Sequence, residues 1–332
     1  MLILGMESSC DETSVAVIDG ETRKIFSNIV ASQVDVHRLY GGVVPEIASR
    51  AHIETISKIT YEALDVAGAT ISDIGAIAVT ANPGLIGALL VGVNFAKSLA
   101  FSRNIPLVAV NHVKAHAAAA YLAEPTLEPP FLALIVSGGH TSIFEVTDHR
   151  TFNTIGSTRD DAAGEAFDKI GRVIGMPYPG GAALDKLAYE GDPSALKLPS
   201  PALPGDNLDF SFSGIKTAAL NYINAEKMKG GELNAADIAA SYTKAVVDAL
   251  AKKCDIALSK TGYRRMVLAG GVAANSHLRA AIGKVCDKNG AELTVPPISL
   301  CGDNAAMVAM AGYFEYAAQC FAGTELNACA ND

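Results

Sequence analysis

Two imidazoles stand four residues apart in the run NHVKAH, as His112 and His116. On an α-helix, residues i and i+4 share one face a turn apart, so this pair can hold a single metal ion between them. The same spacing recurs by chance on half-buried helices. The glutamate of the zinc-protease motif HExxH is missing, because Val113 follows His112, and with it goes the general base of that chemistry. A metal would need a third ligand. Asp303, just ahead of a helical run, offers a hard oxygen, although an aspartate there also suits a helix N-cap. Two imidazoles and a carboxylate leave coordination positions open, a layout used by iron and by catalytic zinc.

Other stretches carry polar chemistry on turns. Asp11 and Glu12 put two carboxylates at the tip of an N-terminal hairpin, within Glu7-Ser8-Ser9-Cys10-Asp11-Glu12-Thr13. The loops VSGGH, ending at His140, and AGGVAAN, ending at Asn275, each follow an apolar strand. Their glycines let backbone amides approach an anion closely, and the second loop opens a helix whose N-terminus favours phosphate. Neither is a Walker A or GxGxxG motif, and plain tight turns of an α/β domain read the same way.

The elements that must position these residues follow from periodicity. Apolar runs at 2–5 and 14–19 flank the first turn as a hairpin, with a third strand near 24–30. A helix over about 45–67 comes next, then a β-branched strand at 74–80 and a helix over about 85–101. A short strand at 107–110 delivers the chain into NHVKAH. Residues 74–96 carry no charge, long enough to span a bilayer, but Asn82-Pro83-Gly84 divides them into a strand–loop–helix unit. From residue 131 the plan repeats: a strand at 131–136, the turn Ser137-Gly138-Gly139-His140, and a strand at 141–146. Thr13-Ser14-Val15 aligns with Thr141-Ser142-Ile143, and the strand at 265–270 with the helix after it matches the earlier β–loop–α unit. This is an internal duplication, two related α/β domains expected to face one another across a cleft. Tyr178-Pro179-Gly180-Gly181 reads as a turn and 193–206 as a loop. Helices are expected over about 214–229, 234–261 and 304–318, the last packing back on the first domain.

The bulk numbers exclude some classes. Half of the 332 residues are hydrophobic and 18% are charged, which is a globular chain with ample core. A net charge of −9 argues against a surface given over mainly to nucleic acid. A local basic face can still be drawn from Lys114, Arg159, Lys169, Arg172, Lys216, Lys244, Arg264 and Arg265. The six cysteines form no CxxC pair and read as reduced thiols of a cytosolic protein. The N-terminus has no basic segment of a secretory signal.

Ten blocks, in order from residue 5 to residue 312, resemble one family closely: GMESSCDETSVAV, YGGVVPEIASRAH, TANPGLIGALLVG, NHVKAHAAA, ALIVSGGHTS, DDAAGEAFDK, YPGGAALDKLA, DFSFSGIKTA, LAGGVAANSHLR and GDNAAMVAMAG. The family is the universal tRNA threonylcarbamoyl transferases, bacterial branch, whose catalytic subunit was once described as a glycoprotease. Asn82 departs from it, standing where a glycine is common.

The resemblance implies an α/β, actin-like ATPase fold (sugar kinase/Hsp70/actin) of two duplicated ribonuclease-H-like domains. Residues 1–125 with 300–332 would form the N-terminal domain and carry the His pair; 126–299 would form the C-terminal domain and carry most of the adenylate site. It implies transfer of a threonylcarbamoyl group from threonylcarbamoyl-adenylate to N6 of the adenosine beside the anticodon, in tRNAs reading codons that begin with A, with release of AMP. His112, His116 and Asp303 would hold one divalent metal ion, Fe(2+) in the family's usual description, with Zn(2+) the alternative. Ile135, Val136, Ser137, Gly138, Gly139, Asp168, Gly181, Asp185 and Asn275 would contact the adenylate. Implied partners are tRNA, a paralogous inactive subunit and a small ATPase, in the cytoplasm and without a membrane. Asp11, at the hairpin tip, is the expected aid in taking the proton from the attacking amine. Two rival readings remain: a metal-dependent peptidase, which lacks its base, and an ATPase or kinase of the same fold, for which the His pair is surplus.

Overall fold

The computed structural model describes residues 1–204 and 207–331, so the last two residues of the loop-like stretch 193–206 lie outside the described residues. The chain divides into two compact units. One is Met1–Pro129 with Asp148–Thr151 and Pro296–Asp332; the other is Pro130–Thr147 with Phe152–Val295.

In the first unit β1 (Leu2–Glu7), β2 (Glu12–Asp19) and β3 (Lys24–Ser32) form an antiparallel meander. After α1 (Val34–Arg38) and α2 (Pro45–Ala67), β4 (Ile74–Asn82) adds parallel to β1. Then α3 (Ile86–Arg103) leads to β5 (Leu107–Asn111), parallel to β4, and α4 (His112–Ala123) follows without a linker. The sheet order is β3-β2-β1-β4-β5. β1 and β4 are nearly unbroken apolar runs because parallel central strands are covered on both faces. Proline at the start of α2 and Gly68 after it, at φ 64°, give that helix its two ends.

The second unit repeats this order with β6 (Phe131–Val136), β7 (Thr141–Val146), β8 (Phe152–Ser157), β9 (Arg265–Ala269) and β10 (Glu292–Thr294), arranged β10-β9-β6-β7-β8. Its helices are α5 (Ala163–Val173), α6 (Gly180–Leu187), α7 (Ser213–Met228), α8 (Ala235–Thr261) and α9 (Ser276–Asn289). The duplication holds at the level of strand register: Ser14 pairs with Glu7, and Ser142 with Ile135. Periodicity missed β8, an edge strand with exposed Asn153 and Thr154 and no apolar alternation. It also missed α6, whose two opening glycines disguise a helix as a turn.

The chain returns to the first unit as α10 (Ala305–Ala317), which packs on α4, β1 and β4. Both helices are alanine-rich, so the backbones lie close. A Cβ on Gly5 would stand 2.2 Å from the Ala305 carbonyl oxygen, and one on Gly312 would stand 2.2 Å from Ala78 Cβ. Among the described residues no helix is long and apolar enough to cross a membrane. The uncharged run at 74–96 is β4, a turn and the first part of α3.

Because the obstacle at Gly5 is backbone, it cannot rotate away. Gly5→Ala is expected to cost about 1–3 kcal/mol of stability, visible as a lowered urea midpoint. A midpoint equal to the parent's would show that α10 is not seated as described.

Candidate functional site

β1, β4 and β5 run parallel, so their carboxyl ends lie along one edge of the sheet, where ligands of open α/β sheets gather. Glu7 ends β1, Thr80 lies near the end of β4, and His112 is the first residue after β5. Asn111 caps α4 by accepting from the Lys114 amide at 3.0 Å, which fixes where the helix starts and therefore puts both histidines in its first two turns.

Asp303 comes to both of them. Its Oδ1 is 3.5 Å from His112 Nε2 and 3.4 Å from His116 Nε2, and the candidate ligand atoms of the three residues lie within 4.8 Å of one another. The cap of α10 is Asn304, which accepts from the Met307 amide at 3.1 Å, so Asp303 is not spent as a cap. His116 is fully buried, yet among the described residues neither ring nitrogen has a hydrogen-bond partner. A buried polar group left in that state costs about 1–3 kcal/mol. The arrangement fits a metal ion: two imidazole nitrogens and a carboxylate oxygen converge, and one imidazole lacks any other use for its lone pair.

Glu7, Ser9 and Thr80 form a layer that periodicity did not single out. His112 Nδ1 is 3.0 Å from Glu7 Oε2 and 3.1 Å from Ser9 Oγ. Glu7 Oε2 also accepts from the Thr80 hydroxyl at 2.7 Å, and its Oε1 accepts from the Ser9 amide at 2.5 Å. Burial pushes the Glu7 carboxyl up, but the charge and hydrogen bond of His112, with the bond from Thr80, outweigh it and hold the group below its ordinary value. The one available signal was a lone carboxylate closing an otherwise apolar strand, LILGME.

The hairpin tip is bolted in place. His52 on α2 bonds Thr13 Oγ1 at 2.8 Å through Nδ1 and the Cys10 carbonyl at 3.0 Å through Nε2. Leu85 donates to the Ser9 carbonyl at 2.8 Å. Asp11 is buried, at 8% exposure, and Glu12 accepts from Ser32 Oγ at 3.0 Å.

The remaining expected contacts all lie in the second unit: Ile135 to Gly139 at the end of β6 and the turn after it, Asn275 beyond β9, Asp168 on α5, and Gly181 and Asp185 on α6. After β6, the turn 137–140 closes on itself with the Ser137 amide donating to the His140 carbonyl at 2.8 Å, and it meets the start of α5 through the Gly164 amide. Gly138 and Gly139 are exposed, and a Cβ on either would meet nothing within 4 Å. Gly270 after β9 has φ 93°, and its Cβ would stand 2.4 Å from the Val136 carbonyl, so only glycine lets the two loops adjoin. Asp168 and Gly181 are bonded to each other: Asp168 Oδ1 accepts from the amides of Gly180 and Gly181 at 2.8 and 3.1 Å. Asp185 accepts from the Ser276 amide and hydroxyl, and Asn275 caps α9 through Leu278 at 2.8 Å. Several candidate basic residues are already paired: Arg159 with Asp209, Lys169 and Lys216 with Asp161, and Lys244 with Asp248. All six cysteines are free thiols.

Against known proteins, the family described as tRNA N6-adenosine threonylcarbamoyltransferase matches residues 24–310. The tRNA N6-adenosine threonylcarbamoyltransferase of Clostridium botulinum (strain 657 / Type Ba4) is 52% identical over 329 residues, covering 99% of this chain and 96% of the relative. Among solved structures, component A of (R)-2-hydroxyglutaryl-CoA dehydratase from Acidaminococcus fermentans has a TM-score of 0.56 at 16% identity, covering 96% of this chain and 99% of that one. The ROK hexokinase from Thermus thermophilus has a TM-score of 0.51 at 16% identity, covering 96% and 100%. These two likenesses are of fold, and they establish the sugar-kinase, actin-like architecture expected from the sequence. With the family match spanning most of the chain, the chain belongs to the tRNA N6-adenosine threonylcarbamoyltransferase family, acyltransferases that form t6A at position 37 of tRNA.

Proposed function

We propose that the chain makes t6A from threonylcarbamoyl-adenylate, with release of AMP, in tRNAs that read codons beginning with A. The observation that carries the catalytic reading is the buried His112, His116 and Asp303 group, in which His116 makes no hydrogen bond among the described residues and Asp303 lies within 3.4 Å of its Nε2. These three residues would hold one divalent ion, Fe(2+) in preference to Zn(2+). When bound, such an ion supplies Lewis acidity toward an oxygen of the acyl group.

A mixed acyl-phosphate anhydride is already activated, so the protein's own task is orientation and charge stabilisation. Ile135, Val136, Ser137, Gly138 and Gly139 would receive the adenylate, the two open glycines giving its phosphate close access to backbone amides. Asp168 and Asp185 each hold a helix start through backbone or hydroxyl donors, and we assign their remaining acceptor capacity, with Gly181 and Asn275, to the nucleoside.

Asp11 is the proposed acceptor of the proton from the attacking exocyclic amine. Its neighbour Glu12 is pushed up to about 9 by burial first, then by the charges of Asp11 and Asp303 and a hydrogen bond with Asp11. A neutral Glu12 at pH 7 can share a proton with Asp11 without adding a second charge to the pocket. For grip on tRNA, a chain of net charge −9 whose basic residues are partly neutralised gains from helpers. We assign that role to a paralogous inactive subunit and a small ATPase in the cytoplasm.

The deciding experiment is transfer from threonylcarbamoyl-adenylate to unmodified tRNA by metal-loaded protein. His112→Ala and His116→Ala are each expected to lose both the bound metal and transfer; full transfer without metal would sink the metal assignment. Asp11→Asn should slow single-turnover transfer by about 10²-fold or more, and an unchanged rate would remove Asp11 from proton transfer. Glu12 also predicts a pH signature. Its folded value lies above the ordinary 4.5, so the folded state binds the extra proton and stability falls as pH rises from about 4.5 through 9. Melting of metal-free protein across that range should show the decline, and Glu12→Gln should flatten it.

A further inference from the structure

The two units present a controlled comparison at one strand position. Ser14 pairs with Glu7 in the first sheet and Ser142 with Ile135 in the second. Both residues are buried, the Glu7 side chain at 0% and Ile135 at 0% exposure. The fold therefore accepts an isoleucine at this register position, one residue before the end of β6, and a carboxylate at its counterpart in β1 answers some other demand. Its hydrogen bonds name that demand. Three groups converge on Glu7: the Ser9 amide on Oε1, and the Thr80 hydroxyl and His112 Nδ1 on Oε2.

The contact between His112 and Ser9 Oγ can run either way, because a hydroxyl donates or accepts. A carboxylate only accepts. Its neighbour at 3.0 Å must then be Nδ1–H, which leaves the lone pair of the neutral ring on Nε2, the nitrogen 3.5 Å from Asp303. We propose that Glu7 is a positioning residue that locks His112 in the Nδ1–H tautomer and so presents Nε2 to the metal, with Thr80 and the Ser9 amide locking Glu7 in turn. The assignment rests on His112, His116 and Asp303 being the metal ligands. A ligating histidine whose second nitrogen donates to a carboxylate is better oriented and more basic, and losing that partner typically costs 10–100-fold in metal affinity.

The isosteric variant Glu7→Gln gives a directional test. The Ser9 amide can only donate, so the glutamine oxygen has to occupy the Oε1 place. Its NH2 then falls at the Oε2 place and points at His112 Nδ1. That nitrogen has to accept, and the ring proton moves to Nε2, closing the ligating position. Size hardly changes while the tautomer inverts.

The first measurement is the ring 15N spectrum of His112 in metal-free protein, followed upward in pH until the ring carries a single proton, which is expected on Nδ1 in the parent and on Nε2 in E7Q. The second is Zn(2+) affinity by chelator competition, expected to fall about 10–100-fold in E7Q and to stay within a few-fold of the parent in Ser9→Ala, which leaves the carboxylate in place. A parent showing Nε2–H, or an E7Q that binds Zn(2+) as the parent does, would overturn the role of Glu7. The parent spectrum decides the matter even if E7Q fails to fold. Failure of the metal assignment has a separate signature, a parent that binds no Zn(2+) at all, and that result would overturn both.

Discussion

A carboxylate with no exposed surface has to be matched by donors, and the first unit is arranged around that requirement at Glu7. Taking such a group out of water costs several kcal/mol unless hydrogen bonds replace the solvent. The replacements come from three separate strand ends: the Ser9 amide beyond β1, the Thr80 hydroxyl on β4, and the His112 ring beyond β5. Only a parallel β1-β4-β5 arrangement brings these ends to one edge. The seating of the hairpin tip by His52 and Leu85 then holds the Ser9 amide where Glu7 needs it.

Duplication supplied two equivalent edges, and the chain has used them differently. The first edge collects imidazoles and carboxylates. At the second, the strand ends open into glycine turns, and the carboxylates Asp168 and Asp185 hold the starts of α6 and α9. One backbone plan thus carries two different sets of groups, and at the matched register position a carboxylate, Glu7, stands where the other unit has Ile135.

Much of this was legible in residue order because the governing signals are local. The meander, the β–loop–α units and the repeat at residue 131 follow from period-2 and period-3.6 patterns, and His112 and His116 from one helical turn. Asp303 could be nominated by chemistry, but nothing in its spacing ties it to the histidines; that follows from α10 lying along α4. Glu7 and Thr80 were hidden for a similar reason, since lateral strand pairing decides which strand ends meet. β8 was missed because an exposed edge strand needs no apolar alternation. The commitment of Asp168 and Asp185 to amides and a hydroxyl was also unreadable, because those partners are mostly backbone and every residue has one.

The close approach of α10 to Gly5 also bears on the order of assembly. The first unit is discontinuous: its sheet and His pair precede the second unit in the chain, while Asp303 and α10 follow it. During synthesis the strands of the first sheet and both histidines emerge long before the helix that covers β1, and the second unit, nearly continuous in the chain, has its residues complete first. His112, His116 and Asp303 become a set only when α10 docks, so the grouping belongs to the end of folding, and a nascent chain interrupted before residue 303 carries two histidines without the carboxylate that joins them.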